Sequence, residues 1–356
     1  MSRIDSFLEL AVKQGGSDLH LVTGLSPRIR INGVLHRVRF RELSLEDMQL
    51  ILDEFIPAAQ RQRLHEVSSV DFAYSADNLG RFRVNVYRHA NGMAAALRVI
   101  PTVVPSLDEL KLPQSVKLAV SQPKGLILVT GPTGSGKSTT LAGMVDHINS
   151  TRRGHIITLE DPIEFIHDFK KCVVSQREIG VHTPTLARGL RAAVREDPDV
   201  ILVGELRDQE GISLALTAAE TGIQVLGTLH TSGGSRSIDR IINVFPAGRQ
   251  EQVRSMLADS LRAIISQKLV RITDGSGRVA AAEVMINTNA VKSIIRTGRV
   301  HKLDSVIQSG SRAGMQSLNS VLRDLVRQGA VTAEEASEHA LDRTGFEATL
   351  PRARAV

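Results

Sequence analysis

The segment GPTGSGKS (131–138) follows the apolar run LILVT and precedes a helical stretch reaching about Ile148. That pattern in that context predicts a phosphate-binding loop at a strand-to-helix junction. Phosphates require several converging backbone N–H donors, and Gly131, Gly134 and Gly136 let the chain wrap closely around them at a helix N-terminus. The candidate nucleotide-binding residues are Gly131, Pro132, Thr133, Gly134, Ser135, Gly136, Lys137, Ser138 and Thr139. Among them Lys137 is expected to reach the β- and γ-phosphates, and Ser138 to offer a hydroxyl to Mg2+. Taken alone, the loop predicts a nucleoside triphosphatase.

Such a loop needs a carboxylate at the end of a second strand to orient Mg2+ or water. DVILVGE (199–205) supplies an apolar strand closed by Glu205. A further acidic cluster, TLEDPIEF, places Glu160, Asp161 and Glu164 just after another predicted strand. Carboxylates at the C-terminal edge of a parallel sheet face the place where ligands bind. One of Glu160, Glu164 and Glu205 is expected to act as the base that polarises the attacking water, and their positions leave open which. TLHT (228–231) also closes an apolar strand, so His230 is a candidate for sensing the γ-phosphate or coupling it to motion. Arg81, Arg83 and Arg98 stand on neighbouring predicted strands. Alternation puts Arg81 and Arg83 on one face, where two guanidinium groups can meet a phosphate.

The elements that position these residues fall into two textures. Before residue 100, Ile4, Phe7, Leu8 and Val12 recur at helical spacing, and strand-like text follows at 17–22, 28–31 and 34–38, with Asn32-Gly33 as a tight hairpin turn. Ser44 with Asp47 caps a helix to about Ile56, and 70–74, 81–87 and 94–100 read as further strands of a small α+β domain, 1–100. The stretch 101–105, bounded by Pro101 and Pro105, is the expected linker. From Ser106 short apolar strands (126–130, 155–159, 200–204, 224–228) alternate with helical patterns, the signature of βαβ units on a parallel sheet. Beyond Val253 the chain reads as mostly helical. One apolar stripe runs through Val253, Met256, Leu257, Leu261, Ile264, Ile265 and Leu269, and another through Leu318, Val321, Leu322, Leu325 and Val326. The expected division is therefore an ATPase-type core at 106–275 and a mainly helical part at 276–356, in which Thr332 with Glu335 caps a last short helix and 352–356 forms a frayed tail.

The 356 residues suit about two domains. A 42% apolar and 23% charged composition excludes collagen-like, rod-like and disordered classes. No apolar run approaches a membrane span and the N-terminus lacks the apolar core of a signal peptide, so a cytoplasmic location is expected. Cys172 is the only cysteine, which excludes an internal disulfide framework and any multi-cysteine zinc site within one chain. The net charge of +6 invites an anionic partner, yet residues 1–105 carry 13 basic and 11 acidic side chains and the remainder 31 and 27, so no basic stripe forms. With 3% aromatics there is also little to stack on bases, and no direct nucleic-acid partner is expected.

Together, GPTGSGKST, TLEDPIEF, REDPDVILVGELRD, LALTAAETG and TLHT resemble the secretion ATPase superfamily that powers type IV pili and type II secretion. The resemblance is closest to the PilT-type pilus-retraction (twitching motility) ATPases and extends from SDLHL (17–21) through GRFRVNVY (80–87) to GMQSLN (314–319). It implies a RecA-like core with a mainly parallel sheet, a smaller N-terminal α+β domain of PAS-like type, and ATP with Mg2+ as ligands. It also implies a homohexameric ring in the cytoplasm, docked peripherally on the inner-membrane platform protein of the pilus machine. By the same matching, Gly131 to Thr139 form the Walker A segment, Glu205 the Walker B acid, Glu160 to Glu164 the acidic box and His230 the His box. Arg81, Arg83 and Arg98 match N-domain arginines thought to contact the nucleotide. Relatives that assemble pili or drive secretion carry a four-cysteine zinc module, which the lone Cys172 does not provide. Three segments depart from the family pattern: AVKSIIRT (290–297) stands for AIRNLIRE, Ile223 for a histidine, and RHANG (88–92) for NQNRG. Retraction is the expected function, a pilus-assembly or secretion ATPase the alternative within the superfamily, and a nucleic-acid translocase the alternative from another class.

Overall fold

Ser2 and Asp5 satisfy each other's backbone amides in a capping box that starts α1 (Arg3–Lys13), whose Ile4, Leu8 and Ala11 stripe is buried. The computed structural model describes residues 2–31, 33–77, 79–100, 103–275, 277–341 and 343–348. Asn32 of the expected hairpin, Pro101 and Thr102 of the expected linker, and the tail 352–356 lie outside the described residues. The chain divides into two units, Met1–Val103 and Val104–Val356.

In the first unit α1 is followed by β1 (Asp18–Val22), β2 (Arg28–Ile31), β3 (Val34–Arg37), α2 (Leu45–Phe55), α3 (Ala58–Glu66), β4 (Ser69–Ala76), β5 (Gly80–His89) and β6 (Gly92–Ile100). The strands form one antiparallel sheet in the order β3-β2-β1-β6-β5-β4. Alternation sends Leu19, Leu21, Val84 and Val86 into a core shared with Ile4 and Leu8 of α1 and Met48 and Ile51 of α2. The opposite face is polar. Arg30, Asp18, Arg98 and Arg83 stand in one cross-strand row, and Arg81 shares that face of β5. The helix α3, which buries only Leu64, carries almost no apolar periodicity and was not foreseen.

The second unit runs α4 (Gln114–Val120), β7 (Gly125–Thr130), α5 (Lys137–Thr151), β8 (Gly154–Glu160), β9 (Cys172–Glu178), α6 (Leu186–Ala193), β10 (Val200–Val203), α7 (Gln209–Glu220), β11 (Gln224–Leu229), α8 (Gly234–Asn243), α9 (Ala247–Ser260), β12 (Leu261–Arg271) and β13 (Arg278–Ile286). Helices α10 (Asn289–Arg296), α11 (Leu303–Ser309), α12 (Leu318–Arg327), α13 (Ala333–His339) and α14 (Arg343–Glu347) complete it. The seven-stranded sheet has the order β13-β12-β7-β11-β10-β8-β9, parallel throughout except for the antiparallel edge pair β12 and β13. Every residue of β7, β10 and β11 is buried, as expected of central strands covered on both faces. Val116 of α4 and Leu141 of α5 pack on one face. Leu190, Ile212, Ile238 and Leu257, from α6 to α9, pack on the other. The second predicted stripe is core: Leu318 and Leu322 of α12 are buried with Val270 and Ala281 of the β12–β13 pair.

The first stripe is corrected. Helix α9 ends at Ser260, and Leu261, Ile264, Ile265 and Leu269 belong to strand β12. The i, i+4 spacing of Val253 and Leu257 on α9 continues by coincidence into Leu261, Ile265 and Leu269 of the strand, and a strand buried on both faces shows no alternation to expose the change. The region after 276 begins with β13 rather than a helix.

Candidate functional site

Strand β7 ends at Thr130 and delivers the loop 131–136, after which α5 begins at Lys137. Gly131 has φ +144°, and a Cβ there would lie 2.3 Å from the carbonyl oxygen of Gln267 and 2.6 Å from Ser135 Oγ. Only glycine fits that close approach. Gly134 and Gly136 also have positive φ, and Gly136 is the N-cap of α5. The helix therefore starts with free amides directed at the loop. Lys137 Nζ donates to the carbonyls of Gly131 and Pro132, each at 2.9 Å. Burial pulls the Lys137 pKa down, and the nearby carboxylates of Glu205 and Glu164 oppose that shift. Pro132, Thr133 and Gly134 are exposed, while Ser138 and Thr139 lie half-buried on the first turn of α5.

Two residues past β10, Glu205 receives His230 Nε2 on Oε1 at 3.2 Å and Arg207 Nε on Oε2 at 2.7 Å. The strand ends that bring them together are stitched by Thr228, whose hydroxyl donates to the Gly204 carbonyl and whose own carbonyl accepts from the Leu206 amide at 3.0 Å. Hydrogen bonding to Glu205 raises the Arg207 pKa, and the charge of Asp161 adds to it.

Glu160 closes β8. Its Oε1 accepts from Thr158 Oγ1 at 2.6 Å and Gln176 Nε2 at 3.3 Å, and the Glu164 amide donates to the same carboxyl. Burial nevertheless raises the Glu160 pKa. The segment after it starts with a cis Asp161–Pro162 peptide and is tied to β9: Ile163 N donates to Glu178 Oε2 at 3.2 Å, Gln176 Nε2 donates to the Phe165 carbonyl at 2.8 Å, and His167 N donates to Gln176 Oε1 at 2.9 Å. Burial drives the His167 imidazole down to about 4.

The second unit thus brings together Lys137, Glu164, Glu205 and His230, with Asp161 close to Arg207 and Glu160 behind them in contact with Thr158 and Gln176. Arg81, Arg83 and Arg98 belong to the first unit. There Arg83 and Arg98 face each other across β5 and β6, and Arg98 Nε donates to Asp18 Oδ1 at 2.8 Å. Burial works to raise the Asp18 pKa, but hydrogen bonds from Arg98 and Ser17 hold it below the usual carboxylate range. Among the described residues no group of three His, Cys, Asp or Glu side chains is placed to hold a metal ion by itself. The Ser138 hydroxyl and the Glu205 carboxylate are the hard oxygens suited to Mg2+, which takes its other ligands from phosphate and water. Sequence reasoning missed Arg207, Gln176 and Gln267. Arg207 was visible within GELRD two residues beyond a candidate acid, whereas Gln176 and Gln267 lie on strands that the sequence did not announce.

The family model of the type II/IV secretion system protein matches residues 1–276. The chain is 49% identical over 315 residues to the twitching motility protein of Neisseria gonorrhoeae, covering 88% of this chain and 84% of that protein. It is 47% identical over 337 residues to the type IV pilus retraction ATPase PilT of Pseudomonas aeruginosa, covering 95% and 98% respectively. The crystal structure of the pilus retraction motor PilT with bound ADP superposes with a TM-score of 0.92 at 43% identity, covering 98% of this chain and all of that one.

Proposed function

The chain belongs to the type II/IV secretion system protein family, and from that premise we propose that it converts ATP hydrolysis into type IV pilus retraction. It is a P-loop ATPase with a RecA-like core. The observation that carries retraction is the end-to-end likeness to retraction ATPases around a complete phosphate loop and acid set. In this reading the loop amides and Lys137 bind the phosphates of ATP. Lys137 leaves the Gly131 and Pro132 carbonyls for phosphate oxygens, where a charge-assisted hydrogen bond is stronger. Ser138 and Glu205 would hold Mg2+, which supplies charge neutralisation to the phosphates. Glu164 and Glu205, the two carboxylates acting on Lys137, are the groups that orient the attacking water and take its proton. Glu160 positions the acidic segment through the Glu164 amide, His230 reports on the state of Glu205, and Arg81, Arg83 and Arg98 supply positive charge for the γ-phosphate. The working form is a homohexamer, attached peripherally at the inner membrane through the pilus platform protein. No helix among the described residues is long and apolar enough to cross a membrane.

The test is a count of surface pili and a surface-motility assay in the parent cell after deletion of the gene, complemented with wild type or Lys137→Ala. More pili with lost motility, restored only by wild type, is the expected outcome. Bald cells would make it an assembly ATPase, and unchanged pili would remove it from the retraction step. In vitro, Lys137→Ala is expected to abolish ATP turnover, and undiminished hydrolysis would sink the site assignment.

A further inference from the structure

Strand β12 runs parallel to β7, and their ladder ends at the pair Ser266 and Thr130. β7 then gives way to the phosphate loop while β12 continues to Arg271, so Gln267, still paired with Ala282 of β13 on one side, is the first residue of β12 to have the loop in place of β7 on the other. It touches that loop in several ways. Its backbone carbonyl occupies the space that a Cβ on Gly131 would need. Its side-chain Nε2 donates to the Ser135 carbonyl at 2.7 Å, and its Oε1 accepts from Thr140 Oγ1 on α5 at 3.0 Å. Gln267, Ser135 and Thr140 are 2%, 3% and 3% exposed, so water does not substitute for these bonds.

We propose that Gln267 is a positioning residue for nucleotide binding, which sets the direction of the 135–136 peptide in the phosphate loop. The inference rests on the nucleotide-binding reading above. In a trans peptide the C=O and N–H groups point in opposite directions. Fixing the Ser135 carbonyl on Gln267 therefore turns the Gly136 N–H away from β12 and toward the concave side of the loop, where a phosphate collects donors. The bond from Thr140 keeps the carboxamide from rotating, so its NH2 rather than its oxygen meets the Ser135 carbonyl. Glutamine suits the position because a buried donor and a buried acceptor are needed at once, at the reach of its side chain. An ionised glutamate accepts from Thr140 and cannot donate to Ser135. Methionine has the shape and neither function.

The probe is ADP carrying a fluorophore on the ribose, titrated against full-length wild type, Gln267→Met, Gln267→Glu and Thr140→Val across pH 5.5 to 8.5. Gln267→Met is expected to weaken ADP by about tenfold or more, the scale of a hydrogen bond to a charged group, and to raise KM for ATP more than it lowers kcat. Gln267→Glu should be comparably weak at high pH and recover toward wild type, as a ratio at each pH, when a protonated carboxyl can donate to Ser135. Thr140→Val, which retains the bond to Ser135, should fall between. A Gln267→Met variant that binds ADP as wild type does, or a Gln267→Glu ratio that is flat with pH, overturns the proposal. Should Gln267→Met fail to fold, the pH response of Gln267→Glu and the intermediate affinity of Thr140→Val decide. Wild-type protein that binds no ADP would instead refute the nucleotide site itself.

Discussion

Glu205 is held on both oxygens at once, by the Arg207 guanidinium on one and the His230 imidazole on the other. A carboxylate so engaged is oriented before ligand arrives, and charged groups already in place lower the reorganisation needed as charge shifts in the transition state. Among the described residues Glu164 has no such clamp, yet it stands close enough to Lys137 to act on its charge, whereas Glu160 is spent on Thr158, Gln176 and the Glu164 amide. The three acids should therefore separate in single-turnover assays. Glu164→Gln and Glu205→Gln are expected to retain ATP binding and lose about a hundredfold or more in kcat, the range for a general base. Glu160→Gln should lose less, because its amide still accepts from Thr158. Near-normal turnover in both of the first two variants would move the chemistry elsewhere. Gly131→Ala tests the loop differently: a φ of +144° and a 2.3 Å approach to a backbone carbonyl leave no room for a methyl. It should cost more than about 1 kcal/mol in stability and abolish nucleotide binding, as read by thermal melts with and without ADP.

The strands of the second unit deliver the site residues from β7, β8, β10 and β11, and their apolar runs made those four elements legible from sequence. Edge and late strands were not legible. β9 mixes Cys172, Ser175, Gln176 and Arg177 among its apolar residues, and β12 inherits a helix-like spacing from α9. Because Gln176 and Gln267 ride on those two strands, the side chains that hold the acidic segment and the phosphate loop in place were invisible, whereas the loop itself and the acids at the ends of β8 and β10 stood out in the sequence. The acidic segment also carries a pH signature. His167 is buried and its imidazole falls from the ordinary 6.5 to about 4. The unfolded chain thus binds a proton that the native chain refuses, so stability from this group is complete above pH 6.5 and declines as pH falls toward 4. The full loss corresponds to about 3 kcal/mol. Replacing His167 by Phe should flatten the pH dependence of the melting temperature between pH 7 and pH 5 relative to wild type. An unchanged slope would show that the imidazole titrates freely.

For the whole chain, charge and composition speak against a polynucleotide track. The net charge of +6 is spread over both units and only 3% of residues are aromatic. A translocase should show polynucleotide-stimulated hydrolysis that falls steeply with salt. Here turnover is expected to ignore single-stranded DNA at any ionic strength, and stimulation would revive that alternative. A motor acting on a protein filament instead has to coordinate copies of itself. If the chains work as a coupled ring, each Lys137→Ala subunit should impair its wild-type neighbours as well as itself. When wild-type and Lys137→Ala chains are mixed and allowed to reassemble at constant total concentration, ATP turnover should therefore fall more steeply than the wild-type fraction. A strictly proportional fall would mean that the subunits hydrolyse ATP independently, and the mechanical cycle would have to be sought within one chain.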